Sequence, residues 1–331
     1  MAGSGKTSFI VSALSSVRRT LILTYTDNNV KNLKQKIYNK FGYMPENIVL
    51  LSYFTFLYSF CFKPFLWSDY RCSGINWEFP PEWTSKMKRT DRRFYIDGTK
   101  KLYHNRIAKL LETEGVLPFI IKRLEKYYDC VFIDEIQDFG GHDFNFLKTL
   151  AAAKVDSLFV GDFYQHTFDT SRDGNINTNL HESYEKYKDR FCDMGLTVDE
   201  NTLVSSYRCS PTLCDFVSDS LEIRMRSHRT DSTIIDLIDK KIDAERILIC
   251  EKTVKLFYQK HSAYHCYSRN WGESKGDDHY DDVCVVLNET TLKKYHKNKL
   301  QELPSQTRNK LYVACTRTRN NLYFLPFHLL K

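Results

Sequence analysis

The sequence predicts an α/β protein with parallel sheets flanked by helices, and three observations predict it. A glycine-rich turn, Ala2-Gly3-Ser4-Gly5-Lys6-Thr7, opens an apolar-periodic run that reaches Leu14. Short apolar strands then alternate with amphipathic stretches, the rhythm of βαβ units. An apolar run, Val131-Phe132-Ile133, stops abruptly at Asp134-Glu135-Ile136-Gln137-Asp138, as a buried strand does when it ends in carboxylates.

The elements follow in order. Thr20–Thr24 reads as a short strand, and Asp27 as the cap of a helix carrying Val30, Leu33, Ile37 and Phe41 on one face. Ile48–Leu51 reads as a second strand. Between residues 60 and 125 the rhythm breaks: Trp67, Trp77 and Trp83 occur with Pro80-Pro81 among many Lys and Arg, predicting an inserted subdomain, partly helical after Asp91. Strands return at Cys130–Ile133 and Leu158–Val160. A second α/β unit is expected from about residue 200, with strands near Arg246–Cys250, Val283–Leu287 and Leu322–Leu325 and helices near Pro211–Ser220 and Thr307–Thr318. The polar bridge Thr170–Glu200 reads as the junction, dividing the chain into domains 1–175 and 176–331. A chain of 331 residues suffices for two such domains.

Composition narrows the function classes. No run of eighteen apolar residues occurs and the start lacks the order of a signal peptide, so a cytoplasmic protein without membrane association is expected. The ten cysteines include no Cys-x-x-Cys pair. Neither Cys209 with Cys214 nor His261, His265 and Cys266 finds a convincing set of metal-ligand partners, so the cysteines read as reduced core thiols. A net charge of +7 and 14% aromatic residues suit a polyanionic partner whose bases stack and whose phosphates are tracked, although most single aromatics are better read as core.

The glycine-rich turn has the chemistry of a phosphate cradle. Gly3 and Gly5 allow torsions that turn backbone N–H groups inward as a nest, with Ala2 and Ser4 between and beside them. Lys6 can reach the β- and γ-phosphates of a nucleotide, Thr7 can ligate Mg²⁺, and the helix start adds positive potential. The residue that would complete the motif would stand one position before Met1, and the strand that feeds such a loop is missing. A truncated reading of a longer chain, or an impaired protein, is therefore expected. At the acidic strand end, Asp134 would hold Mg²⁺, Glu135 would orient or deprotonate the attacking water, and Gln137 would sense the nucleotide.

These motifs, with six more, resemble those of UvrD/Rep/PcrA-type superfamily 1 DNA helicases, in the family's order along nearly the whole chain. Asp134–Asp138 resembles the Asp-Glu-x-Gln-Asp signature; Thr24–Asn28 and Ser52–Phe56 resemble motifs Ia and Ib; Val160–Gln165 resembles motif III. Ser206–Ser210, Gly272–Gly276 and Tyr312–Thr318 resemble motifs IV, V and VI. The resemblance implies two RecA-like P-loop domains, ATP and Mg²⁺ as cofactors, and single-stranded DNA as partner, with movement 3′ to 5′ and roles in DNA repair. It makes Gln165 the coupler of γ-phosphate to strand and Arg208 and Arg317 the arginines that face the γ-phosphate. It assigns Tyr25, Thr26, Thr55, Phe168, Ser274 and Lys275 to the strand. Two positions depart: Thr170 stands where the family has a stacking aromatic, which leaves Phe168 as the nearest, and Asp277-Asp278 follow Ser274-Lys275-Gly276 where the family has an apolar residue and Glu.

The small size also resembles helicase-like subunits of bacterial anti-phage systems such as the GajB component of Gabija. This implies the alternative of a nucleotide- and DNA-sensing subunit that regulates a nuclease encoded beside it, in antiviral defence, without unwinding. An inactive truncated fragment is the third reading.

Overall fold

The structure, a computed structural model, describes every residue except Asp169, Arg172, Asp173 and Lys331. The chain forms two compact units. One comprises Thr7–Gly161 and Phe168–Val198; the other comprises Met1–Lys6, Asp162–Thr167 and Asp199–Lys331. Both are α/β with wholly parallel sheets, as expected.

In the N-terminal unit, helix α1 (Lys6–Ser12) precedes β1 (Thr20–Thr24), α2 (Asp27–Phe41) and β2 (Ile48–Ser52). After an inserted region come α3 (Ile107–Thr113), α4 (Leu117–Tyr127), β3 (Cys130–Ile133), α5 (Gly141–Ala151), β4 (Asp156–Phe159) and α6 (Tyr184–Cys192). The four strands lie in the order β2-β1-β3-β4. Leu21 pairs with Val49 on one side and Val131 on the other, so β1 is central and every residue of it is buried. A strand covered on both faces favours apolar residues at successive positions, which is why Leu21-Ile22-Leu23 reads as a continuous apolar run between Thr20 and Thr24. Helix α2 buries Leu33 and Ile37 and ends at Gly42, whose φ of 79° only glycine adopts freely. Its cap is Thr26, whose hydroxyl accepts the Asn29 N–H at 3.1 Å, rather than the expected Asp27, which stands in the first turn.

The inserted region is mostly helical, and is so before Asp91 as well as after it. Tyr53–Tyr70 is one helical run with a π-helical middle at Phe56–Phe62. Gly74–Asn76 and Lys101–Tyr103 then pair as a small parallel ribbon. The bridge after Thr170, of which Arg172 and Asp173 lie outside the described residues, is not a loose linker. Within it α6 turns Phe191 and Tyr187 onto Phe144 of α5, at ring distances of 5.6 and 6.1 Å. The N-terminal unit therefore continues to Val198, beyond the boundary expected at residue 175.

The C-terminal unit runs α7 (Pro211–Leu221), β5 (Ile235–Leu237), α8 (Lys241–Ile249), β6 (Thr253–Phe257), β7 (Ser268–Asn270), β8 (Asp282–Leu287), α9 (Glu289–His296), α10 (Ser305–Cys315) and β9 (Leu322–Pro326). Its five-stranded sheet has the order β7-β6-β8-β9-β5. Alternate residues of β8 enter opposite cores: Val283, Val285 and Leu287 one, Cys284 and Val286 the other. The strand expected at Arg246–Cys250 is instead the end of α8. Ala244, Ile247 and Leu248 recur at helical spacing and pack together on one face of the sheet, and the true strand follows at Thr253.

Among these core groups, Asp143 on α5 is fully buried and accepts a hydrogen bond from the Tyr53 hydroxyl at 2.9 Å. Burial raises its carboxyl to about 7, against the opposing hydrogen bonds from Thr170 and Tyr53. A raised acid favours the fold while neutral, so its contribution is complete below about pH 4 and is lost as pH rises through about 7. The melting temperature is therefore expected to fall between pH 5 and pH 8, and to fall less in Asp143→Asn. Equal slopes in wild type and variant would refute the assignment.

Candidate functional site

The ends of β1 and β3 bring the acidic motif to one edge of the N-terminal sheet. The Asp134 N–H still donates to Leu23 of β1 at 2.8 Å, so the carboxylate leaves from the last paired position. Asp134 is buried, and its Oδ1 accepts the Glu135 N–H at 3.0 Å. Glu135 has φ of 58°, a left-handed conformation that costs a non-glycine residue energy and turns the chain sharply out of the strand. The Gln137 side-chain amide donates to the Glu135 carboxylate, so the two expected functional groups are coupled. Thr7 is partly buried in the first turn of α1. Carboxylate and hydroxyl oxygens are the hard donors that Mg²⁺ takes, so Asp134 and Thr7 fit that ion chemically.

Gly161 closes this edge. A Cβ there would stand 2.6 Å from both Gln137 Oε1 and Ile136 Cγ1, so only glycine lets the strand end lie against the acidic turn. Nothing in the composition pointed to it beyond its place in Gly-Asp-x-x-Gln.

The expected strand residues of this unit gather around rings. Tyr25 lies 5.2 Å from Phe168 and 5.7 Å from Phe54. Burial, then Asp143 and Asp138, push the Tyr25 hydroxyl up to about 12. Thr26 spends its hydroxyl on the α2 cap, and Thr55 is exposed, its hydroxyl 2.8 Å from that of Ser52.

In the C-terminal unit the phosphate loop packs against the motif IV strand end. Gly3 and Gly5 have φ of 67° and 82°. A Cβ on Gly3 would strike Ser206 Oγ at 2.6 Å and Arg208 Cβ at 2.7 Å, and the Tyr207 N–H donates to the Gly3 carbonyl at 2.9 Å. Ala2 and Ser4 are buried, and Lys6 reaches back to the Met1 carbonyl at 3.1 Å.

Asp162, which sequence reasoning passed over, ties this loop to motifs III and VI. Its Oδ2 accepts from Gln165 at 2.8 Å and from the Tyr312 hydroxyl at 2.9 Å, and that same hydroxyl accepts the Ala2 N–H at 2.9 Å. Burial alone would raise the Asp162 carboxyl. The positive charges of Met1 and Lys6, with the bonds from Gln165 and Tyr312, instead hold it below the usual carboxylate range. Gln165 is thus buried on Asp162.

Arg208 and Arg317 meet at a second acid. Both point at Oδ1 of Asp278: Arg208 directly hydrogen-bonded, Arg317 with Nη1 at 3.6 Å. Arg208 also donates to the Thr316 carbonyl at 3.1 Å and Arg317 to the Val313 carbonyl at 3.2 Å, so both forks are oriented from the C-terminal end of α10 and its cap. Burial, then the neighbouring Arg208, push the Arg317 guanidinium down to about 10, still a cation at neutral pH. Asp278 is the second of the two acids after Ser-Lys-Gly and stands where the motif has Glu, whereas Asp277 before it stands where the motif is apolar. Ser274 is fully buried and its hydroxyl donates to the Trp271 carbonyl at 2.7 Å, whereas Lys275 is half-buried. As placed, Ser274 holds the local turn.

The family described as viral superfamily 1 RNA helicase core domain matches residues 99–326. No curated protein matches the sequence. Among solved structures, the PRRSV helicase is similar with a TM-score of 0.51 at 12% identity, over 99% of this chain and 51% of that one. The arterivirus nonstructural protein 10 helicase, solved in complex with DNA, has a TM-score of 0.53 at 13% identity, over 98% and 58%. At these identities the likeness is one of fold, and this chain spans little more than half the length of either.

The clash at Gly161 makes a specific expectation. Gly161→Ala should displace Gln137 or part the strand end from the acidic turn, destabilising by roughly 1–3 kcal/mol as overpacking does. A denaturation midpoint equal to wild type in urea would show that the edge yields without cost.

Proposed function

Because the chain belongs to the viral superfamily 1 RNA helicase core family, we propose that it hydrolyses a nucleoside triphosphate, ATP foremost, to move along a single nucleic-acid strand. The observation that carries the reading is the convergence of Arg208 and Arg317 on one carboxylate oxygen beside the glycine loop. Two guanidinium groups aimed at one oxygen form an anion site, and a phosphoryl oxygen has the charge and size to take the carboxylate's place.

Phosphoryl transfer asks the protein for position and charge more than for covalent chemistry. Lys6 and the backbone of Gly3–Gly5 would cradle the phosphates. Asp134 and Thr7 would hold Mg²⁺, which would neutralise charge on the phosphate oxygens. Glu135 would orient or deprotonate the attacking water, its carboxylate steadied by Gln137. Arg208 and Arg317 would stabilise the charge that builds on the transferred group, and Gln165, fixed on Asp162, would report its presence to the strand. Tyr25, Thr26, Thr55, Phe168 and Lys275 would contact the strand, and Ser274 would support Lys275 from beneath.

The matched family narrows the motif resemblance to superfamily 1 as a whole. It supports neither the UvrD type nor an anti-phage subunit with a nuclease partner. The family is described by RNA and the arterivirus neighbour was solved with DNA, so either strand is a candidate, and 3′-to-5′ movement rests on motif resemblance alone. Among the described residues no helix is long and apolar enough to cross a membrane.

Purified protein is expected to hydrolyse ATP faster with oligo(dT) or oligo(rU) than without. Glu135→Gln should abolish turnover yet retain nucleotide binding, and Arg208→Ala or Arg317→Ala should each lower kcat by about 10³-fold or more. A rate indifferent to both strands would end the motor reading. Asp278→Asn should lower KM for ATP, since the arginines no longer have to leave a carboxylate; an unchanged or higher KM would show that Asp278 does not compete with nucleotide. Displacement of a block from one end of a strand but not the other reads the direction.

A further inference from the structure

The aromatic cluster at Tyr25 does not stop at the motif residues. Phe54 stands edge-on to Trp77 at 5.1 Å, Trp77 stacks on His104 at 5.9 Å, and Phe79 meets the same imidazole at 5.5 Å. The rings form a continuous row from Phe168 through Tyr25 and Phe54 into the inserted region. The row changes character along its length. Phe54 is buried, but Trp77 and Phe79 are 62% and 69% exposed. Two large rings held on one imidazole with most of their surface in water are not core residues, and they need a reason to stay there. Pro80-Pro81 follow directly and stiffen the segment, which reduces the entropy lost when a ligand orders it.

The charge around them selects the ligand. Residues 60–125 carry thirteen Lys and Arg against eight Asp and Glu, so five of the net +7 reside in this insertion. Lys86, Lys88 and Arg89 are all exposed. They begin at the turn Glu82–Lys86, which buried Arg106 pins through a 2.9 Å bond to Thr84. Arg106 lies two residues from His104, which seats Trp77 and Phe79, so the basic and aromatic groups share one anchor. Flat rings with a cationic flank fit a single strand, whose every base has a π-face and whose every link carries a negative charge.

We propose that Trp77 and Phe79 are stacking platforms for unpaired bases, carrying the strand from Tyr25 and Phe168 into the inserted region, with Lys86, Lys88 and Arg89 on its phosphates. The proposal rests on the reading of the chain as a single-strand motor and extends its footprint to residues outside the motifs. The chemistry is common to DNA and RNA.

Fluorescence anisotropy of labelled oligo(dT) and oligo(rU) tests it on the full chain. Trp77→Ala and Phe79→Ala should each weaken binding about tenfold, the loss typical of one base–aromatic stack. Lys86→Ala with Lys88→Ala should flatten the dependence of affinity on salt. Trp77→Phe keeps a ring: it should retain most of the affinity while losing the strand-induced quenching of tryptophan fluorescence, and it serves where an alanine variant does not fold. The tighter oligomer identifies the strand type. Wild type that binds neither oligomer overturns the motor reading itself. Wild type that binds, with folded alanine variants of wild-type affinity or Trp77→Phe of undiminished quenching, overturns the stacking role alone and leaves the surface to a protein partner.

Discussion

A carboxylate can be buried and remain charged only if hydrogen bonds and opposite charge replace the water it loses. Asp162 meets that condition from several directions, and the C-terminal unit's functional groups are arranged as a consequence. One oxygen accepts the Tyr164 N–H at 3.2 Å and so caps the short turn that presents Gln165. The other takes Gln165 itself and the Tyr312 hydroxyl, which in turn receives the Ala2 N–H. Burial, then the Asp162 charge, raise the Tyr312 hydroxyl far above its ordinary value, so it keeps its proton and donates. Segments more than three hundred residues apart in sequence, at Ala2 and Tyr312, are joined by a direct hydrogen bond, and the Tyr312 hydroxyl carries the link on to Asp162.

Asp278 poses the same electrostatic problem in reverse. Two like charges held by the carbonyls of α10 and its cap would repel, and one of them, Arg317, is only 2% exposed. A half-exposed carboxylate between them offsets that repulsion without sealing the place from solvent. The arrangement is a pair of cations sharing one carboxylate oxygen. The carboxylate at this position thus lets the two guanidinium groups lie close together.

The acidic edge of the N-terminal unit depends on steric closeness instead. Gly161 lets the end of one strand touch the turn that carries Glu135 and Gln137, and the left-handed Glu135 bends that turn out of the sheet. Neither device resembles an ordinary strand-to-helix connection, and both sit where the chemistry is expected. Strain and close approach are tolerated there because β3, which carries the acidic turn, is buried and hydrogen-bonded to β1 on one side and β4 on the other.

By itself the sequence determined the α/β class, the strands that lead to Tyr25, Ser52, Asp134 and Gly161, and the order of the motifs, because these follow from local periodicity and from residue types whose chemistry is legible in isolation. It misread Arg246–Cys250, since a short apolar run is strand or helix according to what it packs against, and there it packs Ala244, Ile247 and Leu248 on a sheet face. It left Asp162, Asp278 and the row from Tyr25 to Phe79 without roles, and took Ser274 for a contact residue although its hydroxyl is spent within the unit. Those outcomes were decided by tertiary structure alone, because each depends on partners distant along the chain that only folding brings within hydrogen-bond or ring-contact reach.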